Sequence, residues 1–194
     1  MNKPYILFLE GSIGVGKSSV CKMLREVLPC VTLLDLTGCP DKSDKGKNKT
    51  YRYHGKILQL MEETSNLDMN YVVGRSYMSE SVYTDRLNLK PYSFERESYC
   101  LKRELEYLTN FYDIYFIQLV ATKEQLEERL KRDKFEYVKH SVDNALMQQE
   151  AYRDEMRLLA KECQSVKVLE IPNDDLQKTV DTIKDLVLTN MIGD

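Results

Sequence analysis

Eight consecutive residues, Gly11-Ser12-Ile13-Gly14-Val15-Gly16-Lys17-Ser18, satisfy the pattern G-x-x-x-x-G-K-[ST] at every fixed position, a pattern whose chemistry is the grip on phosphate. Glycines at 11, 14 and 16 permit backbone angles and close approaches that a Cβ would block, so successive N–H groups turn inward around an anion. A helix starting at the end of the loop adds its unpaired amides and positive dipole end to the same point. Lys17 then reaches the outer phosphates as a point charge, and the Ser18 hydroxyl sits on a bound magnesium ion, with Ser19 completing the segment.

Such a loop needs a buried strand before it and a helix after it. Tyr5-Ile6-Leu7-Phe8-Leu9 is apolar enough for a strand buried on both faces, and Val20, Met23, Leu24, Val27 and Leu28 form one helical stripe that Pro29 stops. Cys30 to Leu34 predicts a second buried strand ending at Asp35, an acid placed to face the loop, because ligands bind outside the carboxyl ends of strands in open α/β sheets. Residues 37–50 read as a loop with lysines at 42, 45, 47 and 49, either a solvated mobile segment or a flap that holds an anionic substrate.

A helix over 53–65 follows, with Ile57, Leu58 and Met61 on its stripe and Arg52 and Gln59 near its ends or polar side. Tyr71-Val72-Val73 is a short third strand that delivers Arg75 to the crevice. Helices are expected over 77–89 and, capped by Ser93, over 94–110. Asp113 to Val120 is a strand, Thr122-x-x-Gln125 a capping box, and Ser141 the start of a long helix. Val166 to Ile171 and a final helix striped by Leu176, Val180, Ile183 and Val187 complete an α/β pattern. The expected fold is a five-stranded parallel sheet with helices on both faces, in one domain spanning 1–194.

A formal net charge of −3 argues against duplex nucleic acid as the main partner. Five cysteines with no C-x-x-C pair fit neither a disulfide framework nor a zinc site and read as reduced thiols in a cytoplasmic protein. No stretch approaches the ~18 apolar residues of a membrane span.

Taken in order, these residues resemble the thymidylate kinase and deoxynucleoside kinase group of P-loop phosphotransferases over nearly the whole chain. The resemblance is carried by Leu9-Glu10 before the loop, Gly74-Arg75-Ser76-Tyr77-Met78-Ser79, Tyr83, and Leu126-Glu127-Glu128-Arg129-Leu130-Lys131-Arg132-Asp133. Arg132 to Glu136 and Gln149 to Arg153 look more like the thymidylate kinase lid and the helix behind it. Asp35 looks more like the deoxynucleoside kinase acid that serves as base for a sugar hydroxyl, a base that an ionised phosphate acceptor does not need. Gly74 stands where both families carry an Asp or Glu that supports magnesium. The ion is left with Ser18, nucleotide phosphates and water, and with Glu10, Asp35 or Glu80 as further candidates.

The resemblance implies ATP and Mg²⁺ as cofactors, a small nucleoside or nucleotide acceptor, a lid around 129–141 and a homodimer. In that reading residues 11–19 hold ATP, Arg75 clamps acceptor and transferring group, and Arg129 and Arg132 close from the lid. Arg52, Gln59 and Tyr83 are candidates for acceptor recognition. The expected reaction is dTMP to dTDP. Phosphorylation of a deoxynucleoside 5′-hydroxyl with Asp35 as base is the alternative, and a nucleotide-binding regulatory protein with weak catalysis is a third.

Overall fold

The structure is a computed structural model that describes residues 3–36, 39–133 and 141–192. Its strands are β1 (Tyr5–Glu10), β2 (Val31–Asp35), β3 (Asn70–Gly74), β4 (Asp113–Val120) and β5 (Lys167–Pro172). They form one five-stranded sheet in the order β2-β3-β1-β4-β5, with every neighbouring pair parallel. β1 lies at the centre and all six of its residues are buried. Alternation along it sends Tyr5, Leu7 and Leu9 toward α1 (Lys17–Val27) and α7 (Leu176–Ile192). Ile6 and Phe8 face α2 (Asp44–Glu63), α4 (Glu95–Leu108) and α6 (Val142–Glu162), with Phe8 stacked on Phe116 of β4 at 4.5 Å between ring centroids. Cover on both faces is why these strands are continuously apolar in sequence.

The parallel register brings the functional ends together. Gly74 of β3 pairs with Leu9 of β1 on one side and Asp35 of β2 on the other, and Glu10 pairs with Gln118 of β4. One edge of the sheet therefore carries Glu10, Asp35, Gly74 and Gln118 side by side. α1 starts at Lys17 on that edge.

Several boundaries differ from expectation. β2 begins one residue later, at Val31, because Cys30 turns the chain with φ 52°, and it is a half-buried edge strand rather than a buried one. The expected 37–50 loop ends at Ser43, with residues 37–38 outside the described ones. Ser43 caps α2 by accepting from the Gly46 N–H, and a Cβ at Gly46 would meet the Asp41 carbonyl oxygen at 2.0 Å. Lys45, Lys47 and Lys49 thus lie in the first two turns of a helix, with Lys42 before it, and Lys47 lies 3.5 Å from Glu97 of α4. The expected helix over 77–89 divides into α3 (Tyr77–Ser81) and a π turn over Val82–Arg86, closed by the Leu87 N–H on the Val82 carbonyl at 3.0 Å. β5 is shifted by one residue.

The remaining signals act where expected. α5 (Lys123–Arg132) starts on a complete capping box, with the Gln125 N–H donating to Thr122 Oγ1 and the Thr122 N–H to Gln125 Oε1. Ser141 caps α6 by accepting from the Asn144 N–H. All five cysteines are free, and among the described residues no helix is long and apolar enough to cross a membrane. Thr122→Ala should lower stability by about 1 kcal/mol, read as a shift in urea midpoint at unchanged slope, because it strands the Gln125 N–H.

Candidate functional site

The loop from Gly11 to Gly16 is held open by its neighbours. Gly11, Gly14 and Gly16 have φ of 137°, 75° and 92°, all in the region that favours glycine. A Cβ at Gly11 would lie 2.5 Å from the Leu119 carbonyl oxygen, and one at Gly16 would lie 2.6 Å from Asn173 Nδ2. Three elements brace the backbone between them. Gln148 of α6 accepts from the Ile13 N–H at 3.1 Å, Asn173 after β5 donates to the Val15 carbonyl at 2.6 Å, and Arg129 of α5 donates to the same carbonyl at 3.2 Å. Arg129 also donates to the Asn173 carbonyl at 2.5 Å, closing the brace.

Lys17 folds back over this loop and donates to the carbonyls of Gly11 at 2.5 Å and Ser12 at 2.8 Å. Burial, with the nearby charge of Arg75, pulls its pKa down to about 8. Ser18 and Ser19 are exposed on the first turn of α1.

Glu10 is 0% exposed at the end of β1. One carboxylate oxygen accepts from the Ser76 N–H at 2.5 Å and the other from the Ser79 hydroxyl at 2.9 Å. Burial raises its pKa, and the Ser76 and Ser79 hydrogen bonds and the Lys17 charge act in the opposite direction. The Ser79 hydroxyl lies 2.8 Å from that of Tyr152, which is itself hydrogen-bonded with Tyr83. Between these anchors Arg75 takes a left-handed φ of 76°, with its N–H on the Leu9 carbonyl at 3.1 Å. Its exposed guanidinium has no hydrogen bond or ion pair with any described residue. A non-glycine residue in that region at a site edge is strain held in place by the surrounding bonds.

Beside Arg75 is a narrow recess of about 30 Å³ lined by Leu36, His54, Ser76, Ser79, Glu80 and Tyr83. Glu80 is clasped by Lys90 at 2.7 and 2.9 Å and by the Tyr92 hydroxyl at 2.5 Å, and Lys90 also donates to the Cys39 carbonyl at 3.1 Å. His54 is 8% exposed, and burial pushes its pKa down to about 4, so its ring is neutral at physiological pH.

The structure thus brings the loop, Lys17, Asp35, Arg75 and Tyr83 to one crevice. Arg52 and Gln59 go elsewhere: both line a separate recess of about 520 Å³ between α2 and α4 with Glu104 and Leu108, and Gln59 accepts from Lys56 and donates to Glu63. Arg132, its side chain 68% exposed at the end of α5, pairs with the adjacent Asp133 at 2.7 Å. Residues 134–140 of the expected lid lie outside the described ones. His54, Gln148 and Asn173 escaped sequence reasoning. Asn173 had a signal, a polar residue just beyond the carboxyl end of a strand.

Ser18 and Asp35 supply hard oxygen donors with no competing partner, while Glu10 is fully engaged. Among the described residues no cluster of three or more His, Cys, Asp or Glu is placed to hold a metal ion alone. This donor set suits Mg²⁺, which takes few protein ligands and keeps phosphate and water.

Two outcomes test this electrostatic arrangement. Glu10→Ala should destabilise the fold by about 3 kcal/mol in urea denaturation, because the Ser76 N–H and Ser79 hydroxyl lose a buried acceptor, and Glu10→Gln should recover part of that. For His54 the sign follows from a folded pKa of about 4 against an ordinary 6.5: between those values the unfolded chain binds more protons, so stability falls as pH drops through that window. His54→Gln should flatten the pH dependence of the denaturation midpoint from pH 6.5 to 4 by the equivalent of about 2–3 kcal/mol.

No family model and no curated protein matches the sequence. Solved structures do match. The chain is similar to the YorR protein of Bacillus subtilis, solved in complex with phosphorylated GDP, at TM-score 0.69 and 17% identity over 97% of this chain and 99% of that one. It is also similar to deoxyadenosine kinase from M. mycoides, solved with the products dCMP and a flexible dCDP, at TM-score 0.57 and 11% identity over 95% of this chain and 98% of that one. The same enzyme with bound dCTP matches at TM-score 0.57 and 13% identity over 95% and 99%. At these identities the likeness is one of fold, and over nearly its whole length the chain has the architecture of the P-loop nucleoside and nucleotide kinases.

Proposed function

We propose that the chain is an ATP-dependent phosphotransferase acting on a deoxynucleoside monophosphate, with dTMP to dTDP as the first reaction to test. The observation that carries this reading is the unpaired Arg75 guanidinium, held by a strained backbone between the Lys17 loop and the acceptor recess. A free cation at that point suits an acceptor that is itself an anion.

Phosphoryl transfer needs positioning and charge neutralisation more than covalent chemistry. The loop N–H groups and Lys17 hold the donor phosphates once Lys17 leaves the Gly11 and Ser12 carbonyls. Arg75 orients the acceptor phosphate, one of whose ionised oxygens attacks the γ-phosphorus in line as the bond to the ADP oxygen breaks. Magnesium, held through Ser18, supplies charge neutralisation between the donor phosphates when bound. Arg129 keeps the Val15 carbonyl turned away from the anion, and Arg132 brings positive charge from a lid over 129–141. Tyr83 lines the acceptor recess, whereas Arg52 and Gln59 are not needed there.

A second reading, phosphorylation of a deoxynucleoside 5′-hydroxyl, is favoured by the free carboxylate of Asp35 at the crevice, which could accept the hydroxyl proton. Product identity separates the two. Purified protein with ATP and Mg²⁺, given a panel of deoxynucleosides and their monophosphates, should yield a nucleoside diphosphate. A monophosphate made from a nucleoside would favour the second reading, and nucleotide binding without turnover on any acceptor would favour a regulatory protein. Lys17→Ala should lower turnover by about 10²- to 10³-fold while leaving the thermal melt within a few degrees, and unchanged turnover would remove the loop assignment.

A further inference from the structure

Three carboxylates border the loop and its crevice, and two of them are occupied. Glu10 is buried with both oxygens hydrogen-bonded, and Glu80 is clasped by Lys90 and Tyr92. Asp35 alone is exposed and free of any hydrogen bond or ion pair with a described residue. Its position is set across the sheet. Asp35 and Gly74 are register partners, and a Cβ at Gly74 would lie 3.1 Å from Asp35 Oδ1 and 3.3 Å from Cys21 Sγ. Cys21 is one turn along α1 from Ser18, and Asp35 Oδ1 and Cys21 Sγ together border the space over Gly74. The Asp35 carboxylate also lies close enough to Lys17 and Cys21 to act on both electrostatically. The Gly74 backbone is not in the left-handed region, so the constraint on a side chain there comes from its neighbours, Asp35 and Cys21, and not from its own φ.

We infer that β3 ends in glycine to admit the Asp35 side chain from the neighbouring strand, and that Asp35 is the carboxylate that holds the divalent cation together with Ser18 and the nucleotide phosphates. The inference rests on the phosphotransfer reading and gives Asp35 a cation to hold in place of a proton to accept.

The test is binding, with no turnover. The affinity for β,γ-imido-ATP is measured by calorimetry in EDTA and again in saturating Mn²⁺, and the ratio is the gain that metal confers. Asp35→Ala should cut that gain about tenfold or more while leaving the EDTA affinity and the thermal melt near those of the parent. Moving the acid, in the double variant Asp35→Ala with Gly74→Asp, should recover most of the gain, because removing Asp35 Oδ1 relieves the nearer of the two contacts a side chain at 74 would meet. An undiminished gain in Asp35→Ala would overturn the inference and leave the phosphotransfer reading intact. Equal losses in EDTA and Mn²⁺ would overturn it too, by making Asp35 a general support of the site. A loss that the double variant fails to restore would overturn the shared position. No nucleotide binding by the parent in either condition would overturn the phosphotransfer reading itself and the inference with it.

Discussion

The carboxylate of Glu10 is the constraint on which the rest of the site depends. A charge removed from water at the end of the central strand costs several kcal/mol unless donors replace the solvent. Here the donors come from the turn after β3, the Ser76 N–H and the Ser79 hydroxyl. Satisfying Glu10 therefore fixes where the chain goes after Gly74. Arg75 must pass through a left-handed conformation for the Ser76 N–H to point back at β1, and its side chain is delivered into the crevice by that reversal. The same carboxylate bears on Lys17, so the loop and the recess beside Arg75 are electrically and geometrically one unit. Tyr152 extends that unit to α6 through Ser79, and Tyr83 closes it from the π turn.

Preorganisation of the phosphate loop follows a similar logic with neutral groups. An anion cradle requires N–H groups to converge and carbonyls to point away, which leaves the carbonyls in search of donors. Val15 finds two, Asn173 and Arg129, from elements remote in sequence. Gln148 satisfies the Ile13 N–H from a third. Asn173 and Arg129 bond a loop carbonyl, while Gln148 takes up one loop N–H. Lys17 is itself engaged, because it bonds the Gly11 and Ser12 carbonyls. A polyphosphate bound there would have to replace two hydrogen bonds of Lys17, and its charge would make that exchange favourable.

What the sequence made legible was local. The glycine loop, β1, β4, the Thr122 capping box and the Ser141 cap each depend on residues within a few positions of one another, and each formed as expected. Errors arose where a boundary depended on distant partners. The first turns of α2 are rich in lysine and bury only Gly46 and Thr50, so no apolar stripe announces them, and the Ser43-Asp44 cap was the sole signal. Starting that helix too late also hid its phase. The buried row is Thr50, His54, Leu58 and Met61, which turns His54 to the recess and leaves Arg52 and Gln59 on the other side. β2 looked buried because its residues are apolar, yet strand order makes it an edge. Nothing in residues 30–35 encodes that order.

Strand order also decides how a position in this sheet should be read. In a parallel sheet the carboxyl ends of neighbouring strands lie about 4.8 Å apart, so an oxygen needed at one point above the edge can come from either of two strands. Position 74 taken by itself lacks an acid. Taken with its register partner it does not, because Asp35 Oδ1 already occupies the space beside the Gly74 Cα. The two positions are one site in space although thirty-eight residues of chain lie between them. A glycine where chemistry calls for a carboxylate is therefore a deficiency only if the adjacent strand cannot reach over it. Here Asp35 Oδ1 of β2 and Cys21 Sγ of α1 lie where a Cβ on Gly74 would crowd them.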